Sequence, residues 1–378
     1  MRAVVTGGAG FIGSHLCEHL LAQGHEVVAL DDLSTGSPIN LLPLLDHPAF
    51  TFVRGSVLDE VLVDRLVAAG DQIFHLAAAV GVHTILEDPL RSLRVNVDGA
   101  QTVLDAALRH DRRVLIASTS EVYGKNTAER LDEESDRILG SPFKARWSYA
   151  TAKAIDELVA RTYWETHGLQ VVVVRLFNTV GPRQSGRYGM VVPRLVEQAL
   201  REQALTVHGD GTQTRCFCHV GDIVPALAML LGTQEAFGEA VNLGNPVETS
   251  IVALAQQVRS ITGSSAGVRF VPYSDAYGSG YEDMRRRVPD IAKAQRLIDF
   301  APRHDLVRII ADVADDQRTR QLLEGLRWRG PQPTDGALAA EAAAPGSPDG
   351  APQVTAGPRP LPDDNGQRAV VGSGTVAW

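Results

Sequence analysis

The chain has 378 residues, of which 44% are apolar, so it can build one large two-lobed domain or two modest ones around a sizeable core. Its formal net charge of −9 argues against a general nucleic-acid binder, because such proteins present a basic surface. No apolar run approaches the roughly 18 residues of a membrane span, and no export signal precedes the first predicted strand. The cysteines Cys17, Cys216 and Cys218 lack the ligand spacing of a zinc site. We therefore expect a soluble cytoplasmic protein without a bound metal, a nucleic-acid partner or a membrane contact.

Six short apolar runs in the first half predict β-strands, and amphipathic stretches between them predict helices. The runs lack period-two alternation, as is typical of strands that are buried on both faces. They are Ala3–Thr6, Glu26–Leu30, Phe52–Val53, Gln72–Leu76, Val114–Ser118 and Val171–Leu176. Two apolar stripes are expected to pack against the sheet, namely Ile12, Leu16 and Leu20, and Ile155, Leu158, Val159 and Thr162. This alternation predicts an α/β fold with a doubly wound parallel sheet of the Rossmann type.

Glycine and proline interrupt the second half, where four helices are predicted. They lie near Val192–Glu202, Asp222–Leu231, Ile251–Thr262 and Ile291–Leu297. We expect residues 1–177 to form the sheet domain, with further sheet helices from residues 218–235, and residues 178–315 to form a smaller substrate-binding lobe. The last 48 residues hold eight of the 20 prolines and one aromatic residue, Trp378. Such a segment cannot bury enough apolar surface to offset its ordering entropy, so residues 331–378 are predicted to be a disordered tail.

A glycine-rich loop, Gly7-Gly8-Ala9-Gly10-Phe11-Ile12-Gly13, links the first predicted strand to the first helix. Its missing side chains let the backbone approach a pyrophosphate, and the amino end of the helix faces that negative charge. Asp31 ends the second strand, at the distance where a carboxylate binds the ribose hydroxyls of a dinucleotide. No arginine follows it in Asp32-Leu33-Ser34, so NAD is favoured over NADP. The predicted NAD-binding residues are Gly7, Gly10, Phe11, Ile12, Gly13, Asp31, Asp32, Leu76, Ala77, Ala78, Tyr149 and Lys153.

A phenol and an ammonium lie four residues apart in Tyr149-Ala-Thr-Ala-Lys153, on one face of a predicted helix. The cation favours the phenolate, so it is expected to lower the pKa of Tyr149 and to let the phenol take a proton from a sugar hydroxyl. Thr119, Ser120 and Glu121 follow the fifth predicted strand, at the edge of the sheet where ligands bind. We expect Thr119 to hydrogen-bond the reacting hydroxyl. Each pattern is common alone, but together with the glycine loop they indicate an enzyme.

Seven motifs resemble those of the extended short-chain dehydrogenase/reductase family, which contains NAD-dependent nucleotide-sugar epimerases, dehydratases and decarboxylases. They are GGAGFIG, HLAAA, STSEVYG, YATAK, RLFNTVGPR, GDGTQTRCF and RRRVPDI, and they span roughly residues 1–315. The resemblance implies that Tyr149, Lys153 and Thr119 are the catalytic trio. It also implies a UDP-sugar substrate and a homodimer that pairs through the helix bearing the tyrosine and lysine.

The same resemblance assigns substrate contacts outside the catalytic trio. Asn178 would contact the pyrophosphate or the sugar, and Arg215 would bind a phosphate. Val192 and Val207 would border the nucleotide base. The matching motifs imply these four roles, and we expect the structure to place all four residues in one site.

Within the family, the chain looks most similar to UDP-glucuronate decarboxylases, the UDP-xylose synthases, which carry the same Thr-Ser-Glu-Val-Tyr-Gly string. Oxidation at C4 of a glucuronosyl group makes a β-keto acid, which loses CO₂ readily, before re-reduction or release of the 4-keto-pentose. Arg287 is expected to orient the carboxylate, while Glu121 and Ser120 manage water or a proton at C5. Val288 stands where those enzymes have lysine, and the loop Val80–His83 also differs. These departures leave a UDP-sugar 4-epimerase open.

Two other functions are less expected. A 4,6-dehydratase normally carries an aspartate that protonates the departing C6 hydroxyl, and Ser120 occupies that position. A non-catalytic NAD-binding sensor is expected to have lost Tyr149 or Lys153, and both are present.

Overall fold

The computed structural model describes residues 1–80, 88–186, 189–277 and 284–325. Its strands are β1 (Arg2–Thr6), β2 (Glu26–Asp31), β3 (Phe50–Arg54), β4 (Gln72–His75), β5 (Arg113–Thr119), β6 (Val171–Leu176), β7 (Thr179–Val180), β8 (Leu205–His208), β9 (Thr214–Cys216), β10 (Cys218–His219), β11 (Ala240–Leu243), β12 (Glu248–Ser250) and β13 (Val268–Val271). The central sheet is parallel and has seven strands in the order β11-β6-β5-β4-β1-β2-β3. The order reverses between β1 and β4, and ligands bind outside the carboxyl ends of strands at such a point. The predicted doubly wound Rossmann sheet is confirmed.

Helices cover both faces of this sheet. They are α1 (Phe11–Ala22), α2 (Glu60–Ala69), α3 (Pro89–Arg109), α4 (Ser148–His167), α5 (Val191–Leu200), α6 (Val220–Gly232), α7 (Ile251–Thr262), α8 (Tyr273–Tyr277), α9 (Ala292–Ile298) and α10 (Leu306–Gly325). Side chains of α1, α6 and α9 pack on one face, and side chains of α2, α3 and α4 pack on the other. The sheet core is therefore closed on both sides, which leaves the carboxyl edge of the strands for the site.

The sequence pattern locates the six strands of the first half and the apolar stripe of α1, where Leu16 and Leu20 are fully buried. In β6, four successive valines are buried, as a strand with helices on both faces requires. The seventh sheet strand, β11, was not predicted. It contains only four residues, Ala240–Leu243, and its apolar run is too short to stand out from the surrounding loop.

The apolar stripe predicted for α4 packs against the sheet only in part, through Val159. Ile155 is 40% exposed and Leu158 is 68% exposed. The helix instead buries small and polar side chains, namely Ala150, Ala152, Lys153, Ala154, Asp156 and Ala160. The prediction was right for Val159 and wrong for Ile155 and Leu158, because α4 packs its catalytic face inward and leaves these two apolar side chains outside.

The second lobe has its own apolar core. Helices α5, α7 and α10 pack around two short strand pairs, β8 with β13 and β9 with β12. Helix α7 has the predicted bounds Ile251–Thr262, whereas α10, Leu306–Gly325, was not predicted. No helix in the described part of the chain is both long enough and apolar enough to span a bilayer. The predicted tail at residues 331–378 and most of the loop that departs from the decarboxylases lie outside the described residues.

Candidate active site

The glycine-rich loop is packed too closely to accept side chains. Gly7 has φ +71°, and a Cβ added there would lie 2.7 Å from the backbone nitrogen of Ala77. A Cβ on Gly13 would overlap the carbonyl oxygen of Gly7. Gly10 caps α1 without a side-chain hydrogen bond, so the amino end of the helix faces the cleft with its own backbone donors. This bare cradle at a helix amino terminus fits the pyrophosphate of a dinucleotide.

Asp31 is buried at the end of β2 and is fixed by two backbone donors. Its Oδ2 accepts a hydrogen bond from Ala9 at 3.0 Å, and its Oδ1 accepts one from Leu33 at 2.8 Å. Burial raises the pKa of this carboxyl. Asp31 and Asp32 line a hollow of about 80 Å³, together with Ser56 and small residues of the loop that follows β4. A carboxylate fixed beside a small hollow fits the adenosine ribose of NAD.

A cleft of about 1000 Å³ lies next to the glycine loop and brings together most of the predicted site. Its lining includes Gly7, Gly10, Phe11, Ile12, Gly13, Leu76, Ala78, Thr119, Ser120, Glu121, Tyr149, Lys153, Asn178, Val192, Arg215 and Arg287. Ala77 lines the smaller hollow with the two aspartates. Val207 lies instead in the apolar core of the second lobe, fully buried, and its neighbour His208 lines the cleft. Successive side chains of a strand point to opposite faces, which explains the one-residue difference.

Tyr149 and Lys153 lie on the inner face of α4. Burial raises the pKa of the Tyr149 phenol, and the negative charges of Glu121 and Asp156 raise it further. The ammonium of Lys153 forms an ion pair with Asp156, with 3.1 Å between Nζ and Oδ2. The predicted lowering of the Tyr149 pKa by Lys153 is therefore wrong for this arrangement, in which the lysine has a carboxylate partner three residues along the helix.

Glu121 is held between two arginines at the floor of the cleft. Its Oε1 lies 2.5 Å from Nη1 of Arg287, and its Oε2 lies 2.5 Å from Nη1 of Arg146. Burial alone raises the pKa of this carboxyl, but the two guanidiniums outweigh burial and hold the pKa well below its usual range. Glu121 is therefore ionised. Arg287 also donates to Oδ1 of Asn178 at 3.1 Å, which fixes the plane of its guanidinium.

Hydrogen bonds and burial also fix the other predicted side chains of the cleft. The hydroxyl of Thr119 accepts a hydrogen bond from the backbone nitrogen of Glu121 at 3.2 Å, and Ser120 is 2% exposed within the cleft lining. Asn178, with φ +32°, donates from Nδ2 to the carbonyl oxygen of Cys216 at 2.8 Å. Arg215 is nearly buried and donates from Nη1 to the carbonyl oxygen of Thr214 at 2.8 Å.

The sequence profile of the NAD dependent epimerase/dehydratase family matches residues 3–244. The chain belongs to this family. It is 40% identical over 302 residues to the UDP-N-acetyl-alpha-D-glucosaminuronate decarboxylase of Bacillus cytotoxicus, covering 80% of this chain and 92% of that relative. It is 36% identical over 324 residues to UDP-glucuronic acid decarboxylase 1 of Arabidopsis thaliana, covering 86% and 71%. The crystal structure of UDP-glucuronic acid 4-epimerase from Bacillus cereus, with UDP-glucuronic acid and NAD, superposes with a TM-score of 0.76 at 29% identity and covers 85% of this chain and 100% of the epimerase.

Membership of the epimerase/dehydratase family confirms that the cofactor is NAD and that the chain is an enzyme. When bound, NAD accepts a hydride from a carbon that carries a hydroxyl group. The chain supplies the groups around that reaction, namely a glycine cradle, the carboxylate of Asp31 and the partly buried phenol of Tyr149.

Two charged residues of the site were missed by the sequence analysis. Arg146 pairs with Glu121 and lies over the ring of Trp147, with 5.2 Å between Cζ and the ring centroid. Asp156 pairs with Lys153. The signal for Asp156 is a carboxylate three residues after a helical lysine, which puts both on one face. Arg146 lies 25 positions along the chain from Glu121, and nothing local marks that pair.

A buried polar network supports the catalytic helix from behind. Ser118 donates to Glu157 of α4, and Glu157 accepts hydrogen bonds at 2.7 to 3.2 Å from Arg175 of β6. Arg175 also donates to the hydroxyl of Tyr123 at 2.9 Å, and that hydroxyl donates to Oδ1 of Asn242 at 2.7 Å. The network ties β5, β6, β11 and α4 together, so the turn that carries Glu121 is anchored to the sheet.

Proposed function

We propose that this chain decarboxylates the uronic acid of a UDP-sugar in an NAD-dependent reaction. The observation that carries the proposal is the guanidinium of Arg287, which is 6% exposed and lines the same cleft as Tyr149. Its Nε is buried without a hydrogen-bond partner among the described residues. A desolvated arginine beside a catalytic phenol suits a substrate that carries a carboxylate near the reacting carbon. The two decarboxylase relatives support the same chemistry.

The first step is oxidation at C4 of the sugar. Tyr149 takes the proton of the C4 hydroxyl as the hydride leaves that carbon, and Thr119 hydrogen-bonds the same oxygen. Asp31 and the glycine cradle fix the dinucleotide, while Asn178 and Arg215 hold the sugar and phosphates of the substrate. The product of this step is a 4-keto sugar whose carboxylate is β to the ketone.

The second step breaks the bond between C5 and the carboxyl carbon. The electron pair of that bond moves into the enolate of the C4 ketone, and CO₂ leaves. Arg287 orients the carboxylate so that this bond stands across the plane of the ketone, which is the geometry that the enolate requires. A proton is then added at C5, with Ser120 and Glu121 holding the water that supplies it. The C4 ketone either receives the hydride back, with Tyr149 returning its proton to the C4 oxygen, or leaves the site as the 4-keto-pentose.

The ionised state of Glu121 determines its role in the proposed reaction. Because Arg287 and Arg146 keep it ionised, it is a weak proton donor while both pairs are intact. We propose that it holds the two guanidiniums in place and positions water, rather than giving up a proton of its own.

The second candidate is 4-epimerisation of the same UDP-hexuronate. It is favoured by the similarity to the Bacillus cereus 4-epimerase that binds UDP-glucuronic acid and NAD. That reaction shares the oxidation at C4 but keeps the carboxylate. The mass of the product, with or without the carboxylate, therefore distinguishes the two functions.

Incubation with NAD and either UDP-glucuronate or UDP-N-acetylglucosaminuronate tests the proposal. In mass spectrometry, the nucleotide-sugar product is expected to be lighter by CO₂ if the ketone is reduced again, or by CO₂ and two hydrogens if the 4-keto-pentose is released, with matching release of CO₂ in either case. UDP-glucose serves as the matched substrate without a carboxylate and is expected to give no lighter product. A product of unchanged mass from the uronates establishes the epimerase instead, and turnover of UDP-glucose alone rules out both.

We also propose that the protein is a homodimer in the cytoplasm, paired through α3 and α4. Leu90 and Leu93 of α3 and Ile155 and Leu158 of α4 are exposed apolar side chains on two helices that pack against each other. A second copy of the same face covers them by two-fold symmetry. The family resemblance supports a dimer contact on the helix that bears Tyr149.

The dimer is tested by Leu158→Glu. A charge placed in a buried apolar contact is costly, so the variant is expected to elute as a monomer, with its mass measured by light scattering. Val61→Glu is the matched control, because Val61 is 63% exposed and belongs to α2, not to either helix of the proposed interface. A wild-type protein that is already a monomer, or a dimer that withstands Leu158→Glu, contradicts the proposed interface.

A further inference from the structure

One turn beyond the catalytic tyrosine, α4 carries a buried ion pair. Lys153 and Asp156 are each 1% exposed, and 3.1 Å separates Nζ from Oδ2. Removing a charge from water costs several kcal/mol per ion unless a partner compensates, on the order of magnitude that holds for buried pairs. Each of these two residues is therefore stabilised by the other, although the proposed reaction needs only the lysine.

Asp156 has Lys153 as its ion-pair partner, whereas the neighbouring carboxylate, Glu157, has two partners. The second carboxylate oxygen of Asp156, Oδ1, is buried and has no hydrogen-bond partner among the described residues. Glu157, the next residue, is held by both Arg175 and Ser118. Burial raises the pKa of Asp156 even with Lys153 present. If Lys153 moves away, Asp156 becomes an unpaired buried carboxylate, and such a group binds a proton.

The surroundings of Tyr149 are negative while Lys153 stays on Asp156. Burial raises the pKa of the phenol most, and Glu121 and then Asp156 add to it. The protonated phenol is not yet a base, so the lysine must change partner before the hydroxyl of a substrate can be deprotonated.

Other titratable groups face these residues from the neighbouring elements. They are His75 on β4, Glu121 with its partners Arg146 and Arg287, and Glu157 with its partner Arg175 on β6. Burial, followed by the charge of Lys153, lowers the pKa of His75 to about 3, so that ring is neutral. Glu121 and Glu157 are each paired with arginine. Among these carboxylates, Asp156 is therefore the one that takes up a proton when Lys153 changes partner.

We propose that Asp156 is a positioning residue that stores Lys153 in an ion pair and accepts a proton when Lys153 turns to Tyr149. The inference rests on the proposed function, since it gives Tyr149 the role of base. Lys153 donates a proton to Asp156 and receives one from Tyr149. An O–H bond forms on Asp156 and the O–H bond of Tyr149 breaks. The set begins as carboxylate, ammonium and phenol and ends as carboxylic acid, ammonium and phenolate, so no proton is exchanged with solvent.

The test is the titration of Tyr149 in Asp156→Asn, measured by NMR on protein labelled at the ζ carbon of its seven tyrosines. The Tyr149 signal is identified by its loss in Tyr149→Phe. Without the competing carboxylate, Lys153 pairs with the phenol and favours the phenolate. The titration midpoint of Tyr149 is then expected to fall by about one pH unit or more.

Two further variants keep this test decisive. Asp156→Ala matches the alanines on the same face and serves if the asparagine variant does not fold, with the same fall expected. Glu165→Gln is the matched control, because Glu165 is an exposed carboxylate of α4 paired with Arg161, and it is expected to leave the Tyr149 midpoint unchanged. Asp156→Glu keeps the charge and is expected to keep the midpoint near that of the wild type. A midpoint that stays or rises in both Asp156→Asn and Asp156→Ala overturns the proposal and leaves Asp156 a structural residue.

This titration needs neither substrate nor turnover, so its result is independent of the substrate assay. A protein that fails to decarboxylate UDP-uronates but shows the lowered midpoint loses the proposed function and keeps the lysine exchange. A protein that decarboxylates and shows no change in midpoint loses the exchange alone.

Discussion

Replacing Tyr149 by phenylalanine is expected to lower the rate of C4 oxidation by about 10²- to 10⁴-fold, the usual contribution of a general base. The substitution removes one oxygen and keeps the ring, so the packing of α4 is preserved. Single-turnover formation of NADH, followed by its absorbance after mixing with UDP-glucuronate, measures this loss. Titration calorimetry is expected to show that NAD still binds, because the glycine cradle and Asp31 are untouched.

Tyr163 offers the matched control for this substitution. It lies on the same helix and hydrogen-bonds Asp105 of α3, away from the cleft lining. Tyr163→Phe removes the same atom and is expected to keep the rate of NADH formation within a few-fold of the wild type. If Tyr149→Phe oxidises the sugar at the wild-type rate, the phenol is not the base and the mechanism proposed for this cleft is wrong.

Replacing Arg287 by glutamine is expected to lower kcat/KM for decarboxylation strongly. Its guanidinium is buried and shared between Glu121 and Asn178, so its loss removes the proposed carboxylate contact and leaves Glu121 with Arg146 alone. Loss of a buried, hydrogen-bonded charge contact to a bound partner costs about 2 to 5 kcal/mol, so kcat/KM is expected to fall on the order of 10²-fold or more. Initial rates of CO₂ release across substrate concentrations measure this change.

The neighbouring arginine gives a control at the next position of the chain. Arg286 is 39% exposed in its side chain and pairs with Glu248, so Arg286→Gln is expected to change kcat/KM for UDP-glucuronate only slightly. Binding of UDP-glucose, which has no carboxylate, is expected to be similar in both variants and the wild type. Undiminished decarboxylation by a folded Arg287→Gln protein would falsify the assignment of the carboxylate contact.

Patterns that depend on neighbours in the chain were predictable from the sequence. The buried valines of β6 predict a strand with helices on both faces, and the spacing of apolar residues gives α7 its bounds. The glycine loop is recognisable because the close approach of Gly7 and Gly13 to other backbone atoms admits no other residue. The residues of the cofactor cradle are consecutive in the sequence, which is why the cradle could be predicted.

Features that depend on distant partners were not predictable. The apolar side chains of α4 have helical spacing, but spacing alone does not say whether a stripe meets the core or a second subunit, and Leu158 lies outside. The pairing of Arg146 and Arg287 with Glu121 joins positions that only the folded chain brings together. The expected effect of Lys153 on Tyr149 failed for a similar reason, since a third charge, Asp156, competes for the lysine. Pairwise rules miss competition among three groups.

The polar network behind the catalytic helix determines how this part of the molecule yields to heat or denaturant. Opening of the turn that carries Glu121 takes the Tyr123 hydroxyl away from Arg175 and Asn242 and leaves buried polar groups without those hydrogen bonds. Unpaired buried polar groups make partial loosening of the turn unfavourable. The turn and the four elements that it bridges therefore belong to a single cooperative unit, and the catalytic geometry persists until the fold itself is lost.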